Sequence, residues 1–387
     1  MVYEEPLLEA EDRAVLALIS EQRQRLALQT QNNPRRWTGS IRRRAFAKAI
    51  QGSNSIEGYN ASVDEAIGVI EDEPIDERTE TWYALTGYRT ALTYIMQAAK
   101  DPDFEFNKQL LKSLHFIMMG YDMTKNPGQW RPGAIWVVSS RTNERVYEAP
   151  DRDQIEPLVR ELCAYIKTAR HQDLLVKAAM VHLNPTLIHP FSDGNGRMAR
   201  AMQTLILALD GLIHPVFSSI EEWLGTNTDE YYGVLSEVAR GAWTPQNSAL
   251  PWIRFCLKAH YQQASTLLRR MDEYQELYRE IEQIVAARNL NERMAMPLFD
   301  SALGMTLTNA RYQEDASVSG HIATRDLRSL AELGLLDARG ETRARRYLPG
   351  PELVEARRRV RINRPVRDPY DVVRERATEE ERGPRLL

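Results

Sequence analysis

The segment His189-Pro190-Phe191-Ser192-Asp193-Gly194-Asn195-Gly196-Arg197-Met198-Ala199-Arg200 constrains this chain more than any other feature. A helical pattern runs into it, with Val176, Ala179, Met180 and Leu183 on one face, and a second pattern resumes over 202–209. The segment therefore reads as a helix–loop–helix junction with its glycines at the start of the second helix. Such a loop points successive backbone N–H groups at an anion, and the helix dipole adds to the attraction. Arg197 and Arg200 stand three residues apart and share one side of that helix's first turns. Two guanidinium forks above a nest of amides make a polyphosphate cradle. Arginines at a helix N-terminus oppose the dipole, a local penalty that a bound anion relieves. Asp193 is a hard-oxygen ligand suited to Mg²⁺ bridging phosphates. His189, titrating near neutrality, suits a general base toward an incoming hydroxyl.

Taken singly, each residue has a structural alternative. A histidine before proline is more often structural, and Gly-Asn-Gly is often a plain turn. The conjunction of base, acid, two glycines and two arginines in one short segment favours the cradle. Rival motifs are missing from the sequence: there is no GxxxxGK[ST], and Gly-Asn-Gly lacks the strand–GxGxxG–helix context of a dinucleotide fold. No HExxH or Cys/His cluster supports zinc.

Helical patterning dominates the rest of the chain, as where Leu85, Tyr88, Leu92 and Ile95 share a face. The main exception is 128–150, where β-rich 135–138 and 145–147 flank a polar stretch and predict a hairpin. Residues 253–290 carry a long, charge-laced helical pattern able to join two domains, and 387 residues suffice for two or three. A formal charge of −4 argues against a surface that traps polyanions everywhere, while leaving room for a local basic patch. The chain has eight lysines against 42 arginines, a surplus that base composition explains as readily as phosphate recognition. Cys163 and Cys256 lie in apolar helical stretches without CxxC spacing, as buried thiols of a reducing compartment do. The acidic N-terminal stretch has no apolar run, and no segment reaches membrane-spanning length, so the expected location is cytoplasmic, with no membrane partner.

His189 to Arg200 resembles the signature of Fic-domain proteins, HxFx(D/E)GNGRxxR, with every specified position present. The resemblance implies transfer of AMP from ATP to a hydroxyl of a target protein, a Ser, Thr or Tyr side chain, with release of pyrophosphate. It assigns His189 as the catalytic base and Asp193 as the Mg²⁺ ligand. Gly194, Asn195 and Gly196 become the anion loop, and Arg197 and Arg200 the phosphate-binding arginines. The implied mechanism is in-line attack on the α-phosphate, driven by positioning and charge stabilisation.

Three further matches extend the resemblance over about residues 40–245. The 128–150 hairpin resembles the Fic flap, with Val137, Val138, Ser139 and Ser140 implied nearest the ATP; its edge suits an extended target chain taken by β-augmentation. From composition alone, an ordinary protective hairpin is an equal reading. Tyr231 and Tyr232 match paired tyrosines near the adenine, of which one stacks and the other packs, since neighbours on a helix point apart. The asparagine that some members carry shortly afterwards is replaced by Ala239-Arg240, which leaves nucleotide choice open. Ser53-Asn54-Ser55-Ile56-Glu57-Gly58 fits the inhibitory pattern (S/T)xxxE(G/N). Ser53 and Glu57 would lie one turn apart on a helix that Gly58 ends, and Glu57 would pair bidentately with Arg200 in the place of the γ-phosphate. In some members that glutamate helps water remove AMP, so a de-AMPylase using the same site is an alternative.

Residues 294–303, 307–315 and 321–335 read as three short helices, and 337–348 as a hairpin turning near Gly340. That order resembles a winged helix-turn-helix domain. Its wing offers Arg339, Arg343, Arg345 and Arg346 against Glu341, so a nucleotide-sensing DNA-binding regulator is the second alternative, with dimerisation or target contact as the structural use. The fold class expected is mainly α: a Fic helical core with a β-hairpin flap, then a small winged helix. The expected divisions are an N-terminal helical region 1–110, a core 111–250, connecting helices 251–290, a winged helix 291–350 and a charged, partly disordered tail 351–387. Self-association into a homo-oligomer is a further expectation, as helix-rich domains with long connectors favour it.

Overall fold

The apolar periodicities resolve into helices in the computed structural model, which describes residues 1–32, 36–73, 77–138, 144–168, 173–341 and 345–381. The chain divides into two compact units, one of residues 1–33, 44–265 and 366–387, the other of residues 34–43 and 266–365. The expected division into five consecutive segments differs from this, because residues 1–33, 44–110 and 366–387 fall in the same unit as the helices around the anion loop, and residues 34–43 fall in the other.

In the first unit, α1 (Ala10–Ala27), α2 (Thr38–Ile56, which begins in the second unit), α3 (Val63–Ile70), α4 (Glu80–Ala98) and α5 (Lys108–Met119) precede the hairpin β1 (Trp136–Val138) and β2 (Arg145–Glu148). Next come α6 (Ile155–Thr168), α7 (Leu174–Ile188), α8 (Asn195–Ala208), α9 (Pro215–Ser218), α10 (Glu221–Thr226), α11 (Thr228–Ala239) and the start of α12 (Leu250–Ala287). Local chemistry sets the helix starts. Ser62 and Glu65 form a reciprocal capping box at α3, Thr79 caps α4, Asn107 caps α5 and Asp173 caps α7. Helix α7 is buried on nearly every face, as are the residues of α8, and an all-round apolar helix is one that lies at the centre of a core. Against α7, Trp252 of α12 is wholly buried and donates from its indole nitrogen to the Ala179 carbonyl at 2.8 Å.

The hairpin pairs Trp136 with Glu148 and Val137 with Tyr147, and its register shifts between Val137 and Val138. Val138 is exposed, whereas Ser139 and Ser140 lie outside the described residues. Tyr147 anchors the hairpin by donating to the Leu187 carbonyl at 2.7 Å.

The second unit holds the end of α12, α13 (Ala295–Ala302), α14 (Asn309–Ala316) and α15 (Gly320–Glu332). Strands β3 (Leu336–Arg339) and β4 (Arg346–Pro349) and helix α16 (Pro351–Arg359) follow. Its strands pair antiparallel from Leu336↔Pro349 to Arg339↔Arg346, and Leu307 and Tyr347 exchange backbone hydrogen bonds at 2.9 Å. Of the four wing arginines, Arg343 lies outside the described residues, and Arg339 is paired with Asp337 at 2.7 Å.

The tail, expected to be partly disordered, carries two helices among its described residues. After α16, α17 (Pro369–Glu381) packs against α1 within the first unit. Tyr370 is buried and donates to Asp12 at 3.0 Å, and Arg374 meets Glu11 at 3.4 Å. Asp12, wholly buried, is also held by Arg254 at 2.9 Å. Pro369 and Tyr370 are the buried residues of this charged helix, and charge counting does not register them. Among the described residues no helix is long and apolar enough to cross a membrane.

Candidate active site

Helix α7 ends at His189, whose backbone takes the left-handed conformation (φ +51°) while its N–H still closes the helix onto the Pro185 carbonyl at 3.0 Å. A non-glycine residue held there carries strain that its surroundings must fix. Three contacts do so. Arg131, almost fully buried, donates from Nε to the His189 carbonyl at 2.9 Å, while its other nitrogens reach the Gly133 and Pro150 carbonyls. Its own backbone N–H donates to the Pro190 carbonyl at 2.9 Å. One guanidinium thus ties both ends of the hairpin to the loop that carries His189. On the ring, Nδ1 donates to the Thr186 carbonyl at 3.2 Å, which leaves Nε2 as the basic nitrogen. Burial lowers the imidazole below its ordinary value and Arg131 adds to this, whereas Thr186, Glu57 and Asp193 oppose it. His189 is therefore neutral and able to accept a proton.

The loop is pinned from within. Asn195 accepts from the Phe191 N–H and donates to the Phe191 carbonyl, both at 2.9 Å. Its side chain is thereby committed to the loop, which leaves its backbone N–H for the anion-loop role expected of it. His115 of α5 stacks on Phe191 with centroids 3.7 Å apart, accepts from the Gly128 N–H at 2.9 Å and donates to the Asp193 carbonyl at 2.9 Å. Burial pulls His115 down to about 4, so it stays neutral in this double role. Neither His115 nor Arg131 was singled out from the sequence. Each is one polar residue in an apolar or turn context, and only the fold shows which carbonyls they meet.

Gly194 takes φ +74° at the α8 N-terminus, a conformation that favours glycine. Behind it, Arg197 is wholly buried and its Nε, Nη1 and Nη2 have no hydrogen-bond partner among the described residues. Its nearest carboxylate oxygen is Asp193 Oδ1 at 4.0 Å, and its guanidinium sits 5.0 Å from the Tyr59 ring centroid. Asp193 is part-exposed, with Oδ1 accepting from the Gly194 N–H at 2.6 Å and Oδ2 3.4 Å from Lys125. Among the described residues no cluster of three or more His, Cys, Asp or Glu side chains could hold a metal ion.

Arg200 is the second buried fork. Nε donates to Ser53 Oγ at 2.7 Å, Nη2 donates to the Ser53 carbonyl at 2.9 Å and to Glu57 Oε1 at 2.5 Å, and Nη1 has no partner among the described residues. The pairing uses one oxygen of Glu57 rather than the two expected, because Ser53 already holds Nε and shares Nη2. Burial by itself would lower the Arg200 guanidinium, but Glu57, Tyr231 and Tyr88 raise it above its ordinary value. Helix α2 stops at Ile56, and Gly58 follows with φ +87°, so Glu57 projects from the turn that ends the helix. A Cβ on Gly196 would lie 2.3 Å from Glu57 Oε1 and 3.1 Å from Arg200 Nη1. The carboxylate therefore rests directly on the anion loop. Tyr231 and Tyr232 part company: Tyr231 is buried against His182, Trp252 and Arg200, and Tyr232 is 46% exposed with its hydroxyl 3.3 Å from the Ile56 carbonyl. Of the two, Tyr232 alone keeps an exposed ring.

Residues 105–207 match the Fic/DOC family. A probable protein adenylyltransferase of Aquifex aeolicus is 28% identical over 96 residues, which cover 25% of this chain and 28% of that protein. A protein adenylyltransferase Fic of Nematostella vectensis is 24% identical over 222 residues, covering 54% of this chain and 46% of its own. The chain thus spans between about a quarter and a half of these curated relatives. In fold it is similar to a Fic family protein from Desulfovibrio desulfuricans G20 (TM-score 0.58, 21% identity, 90% of this chain and 99% of that one). It is also similar to Fic-1 from C. elegans (TM-score 0.53, 18% identity, 67% and 72%).

Proposed function

We propose, from the Fic domain that this chain carries, that the protein is an adenylyltransferase which moves AMP from ATP to a hydroxyl of a target protein and is held off by Glu57. The observation that carries this reading is the pair of buried guanidinium groups with open nitrogens at the α8 N-terminus, one of them already met by the chain's own Glu57 carboxylate. A buried charge with unfilled donors is costly unless a ligand completes it. A triphosphate does so: Arg197 takes the inner phosphates, Arg200 the terminal one, and the α8 amides the oxygens between. The residues also fit Mg²⁺, which takes few protein ligands and several phosphate oxygens: Asp193 would hold it, and the ion would supply charge neutralisation on the phosphates.

His189 Nε2 accepts the proton as the target hydroxyl oxygen attacks the α-phosphorus. The bond from that phosphorus to the oxygen bridging to the β-phosphate breaks, and pyrophosphate leaves. Arg131 and Thr186 keep the imidazole in place and in the right tautomer, which favours a reaction catalysed by positioning. The edge of β1 would receive the target as an added strand. Glu57, seated on Gly196 and Arg200, excludes the terminal phosphate from its productive position. The test is labelling of lysate proteins by the Glu57→Gly protein with ATP radiolabelled on the α-phosphorus. Labelling that His189→Ala abolishes supports the reading, and labelling that survives it refutes the base assignment.

A further inference from the structure

Beneath the phosphate cradle lies a buried carboxylate that the transfer reaction does not touch. Glu221 opens α10 and is 2% exposed. Its Oε1 accepts from the Tyr88 hydroxyl at 2.5 Å and the Thr204 hydroxyl at 3.4 Å, and its Oε2 accepts from Ser219 at 2.8 Å. From Tyr88 the connection continues: Ser53 lies close enough to the Tyr88 hydroxyl to lower its proton affinity, and Ser53 Oγ accepts from Arg200 Nε at 2.7 Å. Ser53 thus holds Nε through its hydroxyl and Nη2 through its carbonyl, which leaves Nη1 facing the Gly196 floor of the cradle.

The polarity of this run follows from the groups at its ends. A guanidinium only donates, an ionised carboxylate only accepts, and each hydroxyl between them can accept from one side and donate to the other. An ionised Glu221 therefore directs the whole sequence from Arg200 to Ser53 to Tyr88 to Glu221, and each bond polarises the next. A protonated carboxyl is itself a donor. It can turn the Tyr88 hydrogen toward Ser53 and the Ser53 hydrogen toward the guanidinium, which breaks the clasp on Nε.

We propose that Glu221 is a positioning residue for ATP: through Tyr88 and Ser53 its carboxylate fixes Arg200 so that Nη1 meets the terminal phosphate once Glu57 has moved away. The proposal rests on the reading of the cradle as an ATP site, and on nothing about the transfer step. Burial pushes Glu221 up to about 6, against the lowering effects of Tyr88, Ser219, Arg200 and Thr204, so its charge changes within reach of neutrality. The groups facing it are Tyr88 from α4, Arg200 and Thr204 from α8, and Ser219 from the preceding turn, with Ser53 of α2 beside Tyr88. The adjacent Glu222 is turned to Lys48 of α2 at 2.6 Å and to Gln263 of α12 at 3.1 Å. Above about pH 6 the clasp is set; as pH falls through that value it is released.

The experiment is ATP affinity by calorimetry from about pH 5 to about pH 8, in the full-length Glu57→Gly protein, alone and combined with Glu221→Gln or Tyr88→Phe. The Glu57→Gly protein should lose affinity about tenfold below about pH 6. Glu221→Gln should remove that step and leave only the pH dependence of ATP and His189, common to both proteins. Tyr88→Phe should weaken binding across the range, and adding Glu221→Gln to it should change nothing more. Where transfer is measured, KM for ATP should rise in each variant with kcat unchanged, which a merely structural role would not produce. A step that persists in Glu221→Gln, or additive losses in the double variant, would overturn the proposal. ATP binding without any labelling would refute only the transfer reading, and no binding by Glu57→Gly would overturn both.

Discussion

Replacing Glu57 by glycine removes the carboxylate that the chain places on Arg200. Its Oε1 lies 2.5 Å from Arg200 Nη2, between a guanidinium 1% exposed and a carboxylate 22% exposed. A hydrogen bond to a charged group contributes about 1.5–3 kcal/mol, and the partial exposure of Glu57 favours the lower figure. A terminal phosphate must displace this contact before it can bind Arg200. Removing it should therefore raise productive ATP affinity about tenfold, with about a hundredfold as the upper bound, at about 1.4 kcal/mol per decade. The same change leaves Arg200 with Ser53 and Tyr231 beside it and should lower unliganded stability by about 1–3 kcal/mol. ATP should restore that loss by mass action. Calorimetric ATP titration and thermal unfolding with and without ATP read both effects. The expected signature is tighter binding, a lower unliganded Tm and a larger Tm gain on adding ATP. Equal affinity and equal Tm in the two proteins would refute the reasoning, since the pairing would then contribute nothing.

Other predictions come from the packing around the cradle. A Cβ at Gly52 would lie 2.3 Å from the Glu221 carbonyl oxygen, so Gly52→Ala should push α2 off α10 at a stability loss of about 1–3 kcal/mol; labelling activity should rise several-fold, and unchanged activity would contradict the placement of Glu57. Tyr370→Phe should destabilise the chain by about 1 kcal/mol in urea through loss of one bond to buried Asp12, with labelling unaffected. Burial pulls His115 down to about 4 and His182 and His260 down to about 3, whereas an unfolded histidine titrates near 6.5. The unfolded chain therefore binds more protons below that value, and Tm should fall as pH drops from about 6.5 toward about 4. Glu221, raised to about 6, acts in the opposite sense over part of this window but by a smaller shift. A flat Tm across the window would contradict three neutral buried histidines.

What the sequence disclosed was what can be stated in a local pattern. The loop from His189 to Arg200 joins two apolar helices because its glycines and left-handed turns lie between two uninterrupted periodicities, and both are visible in a short window. Hairpin 128–150 was legible for the same reason, as β-rich runs flank a polar stretch. Apart from Glu57 and Arg200, whose pairing the resemblance implied, pairings across long separations were not legible. Ser53 and Arg200 stand 147 residues apart, and Tyr88 and Glu221 stand 133 apart. Their side chains are ordinary members of helical patterns until the fold brings them together. Arg131 read as one more arginine in a turn, because nothing local reveals that three carbonyls converge on it. The docked α17 was missed since a charge run dominates its composition and its buried contacts come from few residues, Pro369 and Tyr370. Tyr231 and Tyr232 show the reverse: adjacency was enough to separate them onto different faces, and burial then determined which one packs.

The account stands most directly on which phosphorus of ATP ends up on protein. Purified Glu57→Gly protein incubated with its labelled target should retain label from ATP marked on the α-phosphorus, release label from ATP marked on the γ-phosphorus as pyrophosphate, and do neither when His189 is alanine. Label arriving from the γ-phosphorus, or α-label transferred equally well without His189, would contradict it.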